Sequence, residues 1–114
     1  MAMKYKAGQV YLVDLRPVKM KTAIAKVIIP KSDWNYKLPE NLWIAMVLFM
    51  DGIEPHTYLI PSDVFRLPDN YIFFDNEQGD RFAYLSNWEI RIFPEGIKKL
   101  SDYGFANSMK EFMQ

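Results

Sequence analysis

Residues Asn41 to Phe65, NLWIAMVLFMDGIEPHTYLIPSDVF, constrain the fold more than any other stretch. Two apolar runs, Leu42 to Met50 and Thr57 to Ile60, flank the polar link Asp51-Gly52-Ile53-Glu54-Pro55-His56. Runs of this length, rich in aromatic and β-branched residues and bounded by glycine and proline, read as strands, and the short link predicts a hairpin. Nearly every position of the first run is apolar, which predicts a strand covered on both faces at the centre of a sheet packed by helices. The rest of the chain must dock on it.

Upstream, Gln9 to Leu15 is a β-rich run that Pro17 should close, because proline donates nothing to a ladder. Thr22 to Ile29 is a second run ended by Pro30, and a hairpin is the simplest connection between the two. Lys31 to Glu40 shows no period and reads as a loop. Downstream, Ser62 is a candidate N-cap for a single turn before Pro68. Tyr71 to Asp75, Arg81 to Leu85 and Glu89 to Phe93 read as short extended segments, with a turn at Asn76 to Asp80. From Pro94 to Met113 the apolar residues Ile97, Leu100, Phe105, Met109 and Phe112 fall near helical spacing with Gly104 between them, so one or two short helices are expected. The fold class is thus α/β or α+β, a mixed central sheet of about four to six strands with short C-terminal helices. A length of 114 residues predicts one domain over 1–114.

Composition removes several chemistries. The chain has no cysteine, so disulfides, thiolate metal sites and a cysteine nucleophile are excluded together, and the lone histidine, His56, rules out a multi-histidine metal site. His56 stands in the link between strands, where a surface histidine is expected rather than a general base. The acids Asp63, Asp69, Asp75, Glu77 and Asp80 lack the spacing of a calcium loop, and no glycine-rich phosphate loop or nucleophile elbow is present. No apolar run reaches the roughly 18 residues of a membrane span, and MAMKYKAGQ lacks the basic-then-apolar order of an export signal. A cytoplasmic protein without a membrane partner is the expectation.

The zero net charge conceals polarity. Residues 1–37 carry eight Lys or Arg against two acids, and residues 38–114 carry the opposite excess. A basic end suggests an anionic partner, DNA or RNA first among them; mutual neutralisation of the two halves in the folded state is the structural alternative. Within the basic end, Lys19, Lys21, Lys31, Trp34 and Lys37 are the candidate nucleic-acid contacts, since Trp34 and Tyr36 in a polar basic loop could stack on bases. Asp14 at the end of one strand and Lys26 inside the next would meet on one face if those strands paired. An acid holding magnesium beside an ammonium that stabilises developing charge is the minimal layout of a metal-dependent nuclease.

The order Asp14, then Ile24-Ala25-Lys26, then Asp33-Trp34, the apolar run Asn41 to Phe49 and Tyr58-Leu59-Ile60-Pro61-Ser62 resembles small bacterial proteins of the restriction-endonuclease-like, or PD-(D/E)xK, superfamily. The resemblance covers about residues 10–65, with YLIPSDVF its most specific part; the ending YLSNWEIRIFPEGIKKLSDYGF is similar as well. It implies a restriction-endonuclease-like fold, Asp14 as the metal-binding acid, Lys26 as the catalytic lysine and Mg2+ as cofactor in an active member. Ile24 occupies the position of the second acid, and an isoleucine neither binds metal nor polarises water. No Glu or Gln lies between Asp14 and Glu40 to replace it. The departure implies a degenerate member that contacts nucleic acid or a nucleic-acid-processing partner. A protein-interaction module, forming a homodimer or joining a partner subunit through its aromatic surface, is the alternative from another class.

Overall fold

The structure, a computed structural model, describes the backbone of residues 2–5 and 9–112 and the side chains of residues 12–79 and 81–110. The strands are β1 (Ala2–Tyr5), β2 (Gln9–Lys19), β3 (Ala25–Pro30), β4 (Leu42–Met50), β5 (Ile53–Pro61), β6 (Phe73–Asn76) and β7 (Asn87–Ile92). Two short helices end the chain, α1 (Pro94–Leu100) and α2 (Phe105–Phe112), and one-turn 3₁₀ segments occur at Lys31–Trp34 and Ser62–Phe65. The class is mixed α+β. The strands form two sheets rather than the single sheet expected: a mixed one in the order β1-β2-β4-β5 and an antiparallel one in the order β3-β7-β6.

The β4–β5 hairpin forms, with a turn much tighter than the expected link. Gly52 at φ 75° supplies the left-handed conformation, and β5 begins at Ile53. His56 accordingly lies within β5, exposed and opposite Leu48. Leu42, Ile44, Met46 and Leu48 point one way and are buried, whereas Trp43, Ala45 and Val47 on the other side are half-buried and Phe49 is exposed. The expectation of cover on both faces is therefore met on one face only among the described residues.

The expected hairpin between β2 and the following strand does not form. β2 pairs antiparallel with β1 and parallel with β4, and β3 crosses to the second sheet and pairs with β7. Nor does Pro17 end β2, which runs on to Lys19. Beyond Leu12 β1 no longer pairs with β2, so Pro17 sits on an edge, where the missing N–H leaves no ladder bond unmade.

One core holds the two sheets together. Val27 and Ile29 of β3, Trp88, Ile90 and Ile92 of β7, and Phe73 of β6 point inward against the buried face of β4 and Ile60 of β5, and Leu100 closes one side. Each fully buried Ile or Leu contributes about 1.5–3 kcal/mol. Ser62 does not cap its turn; its hydroxyl donates to the Pro39 carbonyl at 2.9 Å and ties the loop before β4 to the end of β5. Arg81 to Leu85, expected as extended, is part of a 3₁₀ segment. Gly104 separates the helices as expected, and the Ser108 hydroxyl of α2 donates to the Leu59 carbonyl at 2.7 Å. No helix among the described residues is long and apolar enough to cross a membrane.

Candidate functional site

Alternation along β3 and β7 decides which side chains point away from the core. Val27 and Ile29 enter the core, so Lys26 and Ile28 face out; Trp88, Ile90 and Ile92 enter it, so Glu89 and Arg91 face out. The antiparallel register places Lys26 opposite Arg91 and Ile28 opposite Glu89, while Phe74 of β6 flanks Glu89 on its other side. The face opens into a cleft of about 710 Å³ walled by Ile24, Lys26, Tyr71, Phe74, Arg91 and Phe93.

The electrostatics of the cleft follow from that register. Glu89 is buried beneath its neighbours, with Lys26 Nζ 3.6 Å from one carboxylate oxygen and Arg91 Nε 2.5 Å from the other. Two cations thus share one carboxylate, and one positive charge is left over at the rim. The Arg91 guanidinium lies 3.7 Å from the centroid of the Phe74 ring, stacked on it as arginine does on aromatic faces. The wall beyond is aromatic: Tyr71 meets Phe93 edge to face with centroids 5.0 Å apart.

Asp69 holds that wall in place. One of its carboxylate oxygens accepts from the backbone N–H groups of Tyr71, Ile72 and Phe73 at 2.9, 3.0 and 2.9 Å, and the other meets Lys99 at 3.0 Å. Burial pushes this carboxyl up, but the three N–H donors and the ammonium outweigh it and hold the group at about 2. Asn70 at φ 57°, a conformation asparagine tolerates, turns the chain so that three successive N–H groups converge on one oxygen. Lys99, raised by its bond to Asp69, also stands 5.7 Å over the Tyr71 ring.

The structure does not bring Asp14 and Lys26 together. Asp14 lies on the face of β2 that carries Ile44 and Met46 toward the core, and its carboxylate accepts from Arg16 Nε at 2.8 Å. Lys26 points away from that core on the far side of the other sheet. Among the described residues no group of three or more His, Asp or Glu side chains could hold a metal. A lone carboxylate already bonded to a guanidinium does not suit magnesium, which wants free carboxylate oxygens beside phosphate and water.

The other candidates divide. Lys19 and Lys21 are exposed at the end of β2 and in the link after it. Lys31 is buried: its ammonium bonds Asp75 at 2.5 Å and Glu77, and stands 5.2 Å over the Trp88 ring. Burial pulls its pKa down, and the two carboxylates more than reverse that. Its ammonium is buried and committed to these two carboxylates. Trp34 packs partly against the core, which removes the open ring that base stacking needs. Lys37 is exposed and, with Tyr36 and Arg66, lines a smaller cavity of about 340 Å³.

Comparison with protein-family models, curated proteins and solved structures finds no match for this chain. Function is therefore read from geometry. Of the cations and aromatics in the cleft, sequence reasoning singles out Lys26 alone and misses Arg91, Phe74, Tyr71 and their partner Glu89. The signal lies in NWEIRI, where Asn87, Glu89 and Arg91 alternate with Trp88, Ile90 and Ile92 and so must share the outer face of a half-buried strand.

Proposed function

We propose that this chain is a non-catalytic, restriction-endonuclease-like module that contacts single-stranded nucleic acid through the outer face of the β3-β7-β6 sheet. The observation that carries the reading is the Arg91 guanidinium stacked on Phe74 with Lys26 beside it in the ladder. Cations that track phosphates, set among aromatic and apolar side chains that receive bases, are the two components of single-strand recognition. The ancestry is supported by the parallel β2–β4 pair and the hairpin ending in YLIPS. Loss of cleavage is supported by Ile24 at the second-acid position and by the separation of Asp14 from Lys26.

The test is fluorescence anisotropy of a labelled single-stranded oligonucleotide titrated with the protein at several salt concentrations. The one cation that Glu89 leaves unneutralised predicts one phosphate contact and a log–log salt slope of about −0.7. Lys26→Gln leaves Arg91 to neutralise Glu89, reduces the steepness of the slope by about 0.7 and weakens binding about fivefold. Tyr71→Ala weakens binding without changing the slope. Absent binding at low salt, or binding that both variants leave intact, refutes the proposal.

A further inference from the structure

Arg91 is the more tightly held of the two cations in the cleft. Its Nε donates to Glu89 at 2.5 Å, and its guanidinium carbon lies 3.7 Å from the centroid of the Phe74 ring. A guanidinium standing upright at that distance would bring a nitrogen to about 3 Å or less from the ring, inside the roughly 3.5 Å of van der Waals contact, so the group lies flat. Phe74 takes one face. The side chain is nonetheless 49% exposed and lines the cleft, so the opposite face is presented there.

Charge sorts the two cations into different roles. Glu89 meets Arg91 within hydrogen-bond distance and Lys26 only at 3.6 Å, so the guanidinium is the neutralised partner and the ammonium is the charge left over. Lys26 is also the more exposed of the two, at 60%. On the single-strand reading of this cleft, on which this step rests, we infer that Arg91 is the platform on which an unpaired base stacks. The base completes a sandwich with the guanidinium and Phe74, and Lys26 alone holds the adjacent phosphate.

Unpaired bases stack on guanidinium planes as they do on aromatic rings, because both are flat and weakly hydrated. A guanidinium backed by Phe74 and tethered through Nε has lost its freedom before the base arrives, so little ordering is left to oppose stacking. A lysine at the same position would keep the charge and offer no plane.

Arg91→Lys therefore separates the roles, since a cation remains to pair with Glu89. Anisotropy is measured with two labelled single strands of equal length, one with its bases and one built of abasic sugars, at low salt and above. Arg91→Lys is expected to weaken binding of the intact strand about fivefold, to keep its salt slope near about −0.7, and to leave the abasic strand within about twofold of wild type. Lys26→Gln is expected to flatten the slope on both strands. Equal losses on the two strands, or a slope that Arg91→Lys flattens, would make Arg91 a phosphate contact and overturn the assignment. Intact-strand binding that Arg91→Lys leaves unchanged overturns it as well, with the single-strand reading still standing. A wild-type chain that binds neither strand overturns both.

Discussion

Replacing Asp69 by asparagine should remove a pH dependence as well as a quantity of stability. The carboxylate accepts three backbone N–H bonds and one from Lys99, and its pKa is about 2 against an ordinary 3.8. Each unit of depression is linked to about 1.4 kcal/mol, which sets an upper figure of about 2.5 kcal/mol. The side chain is 22% exposed, and screening by solvent brings the expected contribution to about 1.5 kcal/mol. Because the folded-state pKa is the lower one, this stability is present in full above about pH 4 and is lost as pH falls toward about 2. Urea unfolding followed by tryptophan fluorescence, run on wild type and Asp69→Asn from pH 7 down to about 2.5, measures it. Other carboxylates titrate in the same window, so the difference between the two proteins isolates Asp69. That difference should be about 1.5 kcal/mol at neutral pH and should shrink steadily below about pH 4. A constant difference across the range would refute the linkage, and equal stabilities at neutral pH would refute the bonding itself.

Other perturbations bear on the cleft and the core. Glu89→Gln removes the carboxylate that Lys26 and Arg91 share, so oligonucleotide affinity should rise several-fold in the anisotropy titration; a drop would mean that Glu89 itself contacts ligand. Lys31→Gln should leave that affinity within twofold of wild type while lowering stability to urea by about 1–2 kcal/mol, because the ammonium is committed to Asp75 and Glu77. Gly96→Ala places a Cβ 2.9 Å from the Phe93 ring, so the melting temperature should fall despite the roughly 1 kcal/mol gain in helix propensity. Ile44→Ala, at a fully buried position of the central strand, should cost about 2–5 kcal/mol in urea unfolding.

What was legible in the sequence was local. The β4–β5 hairpin, the break at Gly104 and the single turn after Pro61 each follow from residues within a few positions of one another. Sheet membership was not legible, because it depends on partners far apart in the chain. The link from Met20 to Ile24 is long enough to close a hairpin, and it is also long enough to carry the chain from one sheet to the other. Nothing local to that link favours one outcome. The cleft shares this limit: Lys26 and Arg91 become neighbours only through the β3–β7 ladder. Lys31 reads as a solvated loop cation until strands β7 and β6 bring Trp88 and Asp75 against it.

The strand Leu42–Met50 joins the two levels. A run apolar at successive positions asks for cover on both faces, since one buried face alone would be satisfied by alternation. Among the described residues the chain covers only the face of Ile44 and Met46, and the other presents Ala45, Val47 and Phe49. The residues on that second face are half-buried or exposed, so substitution there should cost less stability than at Ile44 or Met46. Val47→Glu is the sharpest case: the same residue type placed at Met46 would put an unpaired charge in the core and abolish folding, whereas at half-buried Val47 it should leave the circular dichroism spectrum and a cooperative urea transition in place.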